Sequence, residues 1–395
     1  MKRYTSLDML RGVGILGVIY LHSIVFYFGN FMNIDFDHPP LIVAVVAVMV
    51  LMGGIFGVIS GAANTIMAHL RFKGLVRGKP FRHIMSAGIF LLIMHYIYNV
   101  FLGPHTHNFE TGEHSYSMVA LTVRNGALTF PHMDKLFEGS ALTMLGWNLI
   151  FLGIILYFLF RNGGIHRIRR NKIILGVCGT LLVPLSIVRV HLFPMVESSL
   201  SHGNYALSTV LSYFVAKPYP LLPYLAFGLF GALLALTLLE SREKMKRMAW
   251  FGAIWLIMGI AGIFIVPQNI KGVDMFWFVK VLLELGIFIL MIVAFSMLFD
   301  TEKREKSLPW LRRFGRVSFT IYILQTPLSE IFAKGLDITI PGWNMTIPAM
   351  LVFGVCNVIL WAGIIALWSR YHFRYSLEWL WVRILKPSTK MDNIP

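Results

Sequence analysis

Residues 3–23 read RYTSLDMLRGVGILGVIYLHS. This is a hydrophobic helix carrying two residues foreign to lipid, Arg11 and His22. They lie eleven positions apart. At about 100° per residue that is three turns plus roughly 20°, so both share one face with about 16 Å of rise between them. Asp8, Ile15 and Val18 fall on the same stripe. An ionisable side chain inside a membrane helix turns toward protein or a water-filled cavity. The stretch therefore presents a cation near one membrane face and an imidazole deeper in. Taken singly, each residue has an ordinary reading: Arg11 snorkelling to the interface, His22 packed and hydrogen-bonded. It is the pair on one line that points to a site.

The rest of the chain is built to match. Of its 395 residues 57% are hydrophobic and only 14% charged. This composition excludes an ordinary soluble domain and predicts an all-α, polytopic integral membrane protein. Apolar segments of spanning length fall near 9–28, 41–68, 83–102, 138–160, 173–192, 218–239, 248–267, 274–299, 314–334 and 346–369, ten in all. With the N-terminus in the cytoplasm, the segments on that side hold 28 of the 35 Lys and Arg, in every loop on that side. An N-in, C-in topology follows, and the +16 formal charge reads as topology, with no nucleic-acid partner. The first helix reads as a retained anchor, since no small-residue cleavage site follows it. Cys178 and Cys356 sit in apolar segments, so neither a disulfide framework nor a cysteine metal site is indicated. The whole of 1–395 is read as one domain, with core helices over 5–334, an outer loop at 103–137 and a cytoplasmic tail at 370–395.

Several segments carry polar residues at depth. Gly53, Gly57 and Gly61 recur at four-residue spacing in the second segment, a close-packing face. His95 and Asn99 lie one turn apart on the third, read as inter-helix glue ahead of a site. Lys280 and Glu284, four apart, form either an ion pair or a polar lining to a substrate path. The outer loop holds His105, His107, His114, His132, Glu110, Glu113 and Arg124. Their spacing matches no zinc pattern, and no metal is assigned. Within it 115–130 is amphipathic, suited to an interfacial or re-entrant helix that lids an acceptor. The shorter loop 29–40, GNFMNIDFDHPP, places His38 soon after His22.

LDMLRGVGILGVIYLH resembles the first helix of the acyltransferase-3 family of membrane acyltransferases, in which Arg-x10-His marks the catalytic side. The LDxxRG opening is also similar to YeiB-like proteins and to the heparan-α-glucosaminide N-acetyltransferases, which usually place Asn where this chain has His22. GGIFGVISGAANTI (53–66), YFVAKPYPLLPYLAFGLFGALL (213–234), FGRVSFTIYILQTPL (314–328) and SLEWLWVRILKPS (376–388) resemble words of those two groups in the same order. The resemblance implies a multi-pass enzyme of the plasma membrane. It would move an acyl group, most simply acetyl, from cytoplasmic acyl-CoA to a hydroxyl or amine acceptor, such as a sugar, on the outer side.

Under that resemblance the residues take roles. Arg11, Arg313 and Arg316 are the cations for the CoA phosphates, and Ser318 and Tyr322 belong to the same donor path. His22 is the base or acyl carrier, with His38 as the second candidate. Asp8, His105, His107, Arg124 and Gln325 are assigned to the substrate side, Asp8 as the residue that orients Arg11. Acyl-CoA is a co-substrate and no cofactor is expected to be resident. Membrane lipids are the other partners, and self-association as a dimer stays open. Two other classes stay open as well: a transporter or flippase without covalent chemistry, for which His22, Lys280, Glu284 and Gln325 would line a path, and a purely structural membrane protein.

Overall fold

The structure is a computed structural model that describes residues 4–385 apart from 36–37, 39, 76–78, 105, 108–113, 137, 217–218, 267–274, 302–303 and 305–306. It is helical nearly throughout. In chain order the helices are α1 (Thr5–Tyr27), α2 (Leu41–Val50), α3 (Ile55–Phe72), α4 (Pro80–Ile97), α5 (Met118–Asn125), α6 (Ala141–Phe160), α7 (Ile168–Leu185) and α8 (Val188–Ser201). There follow α9 (Tyr205–Leu211), α10 (Leu221–Glu240), α11 (Arg242–Ile265), α12 (Met275–Phe299), α13 (Pro309–Arg316), α14 (Ser318–Thr339), α15 (Ile347–Ser369) and α16 (Leu377–Leu385). The one ladder among the described residues pairs Thr106–His107 with His114–Ser115. The protein is a polytopic membrane protein, as its composition predicts.

Seven helices are long and apolar enough to span by themselves: α1, α4 with its continuation to Leu102, α6, α10, α11, α12 and α15. The pair α7 and α8, bent by 56°, brings the number to eight. Two of the ten expected segments do not count by length and composition. Segment 41–68 is split by a 3-10 turn at Leu51–Gly54. Segment 314–334 is divided between α13 and α14 at Val317, whose φ of −121° and ψ of 26° leave the helical region. Its second part also carries Glu330 and Lys334.

The larger core gathers apolar side chains of α3, α6, α10 and α12, among them Val58, Leu152, Phe230 and Phe288. Here α3 and α10 touch backbone to backbone. A Cβ on Gly231 would lie 2.1 Å from the Val58 carbonyl oxygen, so a larger residue would force the helices apart. A second core joins Ile15 and Ile19 of α1 to Phe314 of α13, Ile321 of α14 and Trp361 and Ile365 of α15. So α1 is gripped from several sides, and its line of Arg11 and His22 is held at fixed depth.

The approach of α1 to α13 is equally close. A Cβ on Gly315 would meet the Asp8 carbonyl oxygen at 1.8 Å. This contact brings together the helices that carry Arg11 and Arg316.

Candidate active site

The Arg11 end of α1 opens on a cavity of about 270 Å³. Its walls include Arg11 and Ile15 of α1, Arg316 of α13, Ser318, Phe319 and Tyr322 of α14, and Glu378 of α16. Asp8, 7% exposed, sits 3.9 Å from the Arg11 guanidinium one turn away. Two cations, the hydroxyls of Ser60 and Ser318 and a phenol thus share one chamber with one carboxylate.

Deeper along α1 stands His22. Its Nδ1 lies 2.9 Å from the Gln325 side-chain nitrogen of α14, and its ring packs against Phe26 at 5.0 Å and Tyr322 at 6.4 Å. On α14, Ser318, Tyr322 and Gln325 follow i, i+4, i+7 spacing. They therefore form one stripe, which faces the cavity at its start and His22 at its end. Gln325 is 2% exposed, and its Oε1 has no hydrogen-bond partner among the described residues.

A second cavity, of about 140 Å³, lies beyond His22. It is lined by Phe26 and Tyr27 of α1, Tyr116, Arg124 of α5, and Glu330 and Asp337 of α14, with others. Arg124 donates from Nε and Nη2 to the two Glu330 oxygens at 3.1 and 3.3 Å, and its guanidinium lies 4.5 Å over the Tyr116 ring. Burial works against the Arg124 charge, but Glu330 and then Tyr116 outweigh it and hold the guanidinium above its ordinary value. His22 lines neither cavity but packs against a wall residue of each: Tyr322 belongs to the first and Phe26 to the second.

Not every residue singled out from the sequence reaches this axis. Arg313 is exposed and does not line the first cavity. His38 is exposed, with its backbone N–H donating to Asp35 at 3.2 Å, and lines neither cavity. His105 lies outside the described residues, and of His107 only the backbone, in the short ladder, is described. His95 and Asn99 tie α4 to the segment before α6, His95 to the Ser140 hydroxyl at 2.9 Å and Asn99 to the Glu138 carbonyl at 3.0 Å. Lys280 and Glu284 pair at 3.6 Å, with Lys280 4.2 Å over Trp277.

Two residues that matter here were not assigned from the sequence. Glu330 looks like one polar residue among several in a helix end. Glu378 sits in a tail that reads as an interfacial anchor. Their partners, Arg124 and the start of α14, are 206 and 58 positions away.

A family model described as an acyltransferase domain matches residues 4–368, nearly the whole chain. The chain belongs to the acyltransferase-3 family. It is thus a membrane acyltransferase. No curated protein sequence matches this acyltransferase-3 chain.

Proposed function

We propose that this acyltransferase takes an acyl group, most simply acetyl, from acyl-CoA in the Arg11 cavity and passes it across His22 to an acceptor in the Arg124 cavity. The carrying observation is that His22 packs against Tyr322 of one chamber's wall and Phe26 of the other's, two chambers of different chemistry. In the first, Arg11 and Arg316 would hold phosphates as charge-assisted partners, and the pantetheine arm would lie along Ser318 and Tyr322. The second chamber combines aromatic faces with Glu330, Asp337 and Asn344, a surface suited to a hydroxyl-rich acceptor such as a sugar. Positive charge on alternate loops supports placing the first chamber at the cytoplasm and the second outside, in the plasma membrane. The narrower likeness to YeiB-like and heparan-α-glucosaminide N-acetyltransferase-like proteins agrees with this acceptor class.

The chemistry asks His22 to be a neutral base. If Gln325 turns its amide, Oε1 accepts from Nδ1–H, which satisfies the buried oxygen and leaves the lone pair on Nε2. That nitrogen takes the proton of the acceptor hydroxyl or amine as its heteroatom attacks the thioester carbonyl. The C–S bond then breaks and the departing thiolate takes the proton back from the imidazolium, so no net proton is released. Asp8 holds Arg11 without entering the reaction.

His22→Ala is expected to retain acyl-CoA binding and lose transfer by at least about 10²-fold, the usual contribution of a general base. His22→Asn is sharper, because Asn hydrogen-bonds but takes no proton at neutral pH. Turnover of acyl-CoA by purified protein with an acceptor reads both. Near-normal turnover by His22→Asn moves the base elsewhere, first to His38. A carrier that shuttles a substrate between the chambers without chemistry would leave acyl-CoA unconsumed by the wild type.

A further inference from the structure

Both helices that carry the site begin without a cap of their own. At α1 the residue before the helix is Tyr4, and at α14 it is Val317; neither supplies a side-chain acceptor. The first amides of a helix have no partner within it, and here they point into protein. Each start is closed instead by a carboxylate from far along the chain. Asp300 accepts from the Ser6 amide at 2.9 Å and from its hydroxyl at 2.6 Å. Glu378 accepts from the amides of Phe319 and Thr320 at 2.8 and 3.2 Å, and from the Thr320 hydroxyl at 2.5 Å. The same Thr320 oxygen accepts from the Leu377 amide at 2.8 Å, so α16 and α14 are stitched from both sides.

Glu378 differs from Asp300 in place, because it also forms part of the wall of the Arg11 cavity. The break at Val317 exposes its two amides. Without that break, 309–339 would be one helix and Arg316 would sit in its interior. With it, Arg316 ends one helix while Ser318, Tyr322 and Gln325 ride on the next, whose start is fixed by Glu378. The tail helix is itself pinned, since Trp381 stacks on Phe90 of α4 at 4.4 Å and Phe90 meets Phe319 at 5.9 Å.

We propose that Glu378 is a positioning residue of the transfer site: its carboxylate, lent by the tail helix, fixes the start of α14 and so sets Arg316 toward the donor and Gln325 against His22. This rests on the reading of the Arg11 cavity as the donor chamber.

The test compares Glu378→Ala, Glu378→Gln and Thr320→Val in the full-length protein. Glutamine keeps an oxygen for the two amides, so Glu378→Gln stays within about threefold of wild type, whereas Glu378→Ala, losing the whole cap, raises the KM for acyl-CoA and lowers kcat, together about tenfold or more in kcat/KM. Thr320→Val, which removes only the hydroxyl link, falls between. Amide exchange over 317–325 accelerates in Glu378→Ala and not in Glu378→Gln. Unchanged KM and kcat per folded molecule in Glu378→Ala would reduce Glu378 to a stability element and overturn the proposal. So would a lower acyl-CoA KM in both Glu378 variants, which would make the carboxylate a competitor of the donor's phosphates. If wild type binds no acyl-CoA, the donor reading fails on its own. The exchange data then decide alone: unchanged exchange over 317–325 in Glu378→Ala overturns the positioning role.

Discussion

Arg11 and Arg316 line one cavity although they lie on helices far apart in the chain. If they hold phosphate, Arg11→Ala should raise the Kd for acyl-CoA roughly 10–150-fold, the equivalent of about 1.5–3 kcal/mol for a hydrogen bond to a charged group. Calorimetry in detergent measures it, and unchanged affinity in both Arg11→Ala and Arg316→Ala removes the phosphate role. Glu378 makes a second prediction with a definite sign. Burial pushes its carboxyl above the ordinary carboxylate value, against the pull of Thr320 and the backbone amides. The folded chain therefore binds a proton here more readily than the unfolded one. The stability Glu378 contributes is full below the ordinary value and is lost as pH rises through the raised one. Measured against Glu378→Gln between about pH 4 and 7.5, the wild-type Tm should fall relative to the variant as pH rises. A constant difference would contradict the shift. At this scale the sequence showed Arg11, His22, Tyr322 and Gln325 because helical spacing is a local rule. It hid Glu330 and Glu378, whose meaning depends on partners no spacing rule connects.

Among the helices, the contact between α1 and α13 is the least forgiving. Gly315→Ala would set a Cβ against the Asp8 carbonyl, and relief requires moving a helix that bears Arg11 or one that bears Arg316. Overpacking of this kind typically costs about 1–3 kcal/mol. We expect a lower Tm together with weaker acyl-CoA binding; a full-affinity Gly315→Ala protein would mean that the two arginines do not depend on this approach. The breaks at Leu51–Gly54 and at Val317 are also features of this scale. Hydropathy joins each pair of helices into one segment because no proline marks either break. What decides the second is the neighbour: α13 ends where Gly315 lies on Asp8, and α14 starts where Glu378 supplies acceptors.

Across the whole molecule the two chambers predict sidedness. In a background with Cys178→Ser and Cys356→Ser, Leu128→Cys, at a position 67% exposed, should react with a membrane-impermeant thiol reagent added outside intact cells. Reaction only after the cells are opened would invert the orientation and with it the direction of transfer. The ion pair of Arg124 with Glu330 ties the loop to α14 over the second chamber. Glu330 is 2% exposed, so Arg124→Met leaves a buried charge unpaired and should cost on the order of 3–5 kcal/mol. Glu330→Gln added to Arg124→Met should recover much of the lost Tm, and failure to do so would deny the pair its structural weight. Fold class was legible from composition and from charge alternation, both of which average over many residues.

The cap on α1 has a consequence in time. Ser6 leaves the ribosome early, while Asp300 is made 294 residues later, roughly 15–60 s at about 5–20 residues per second. Through that interval the amides at the start of α1 await their acceptor, and the closing of α14 by Glu378 comes later still. A nascent or truncated chain therefore has its arginine and histidine in the bilayer but no finished chamber around them. The wall that Glu378 gives the Arg11 cavity is the last part of it to be made, so the order of synthesis delays completion of that cavity until α16 is laid down.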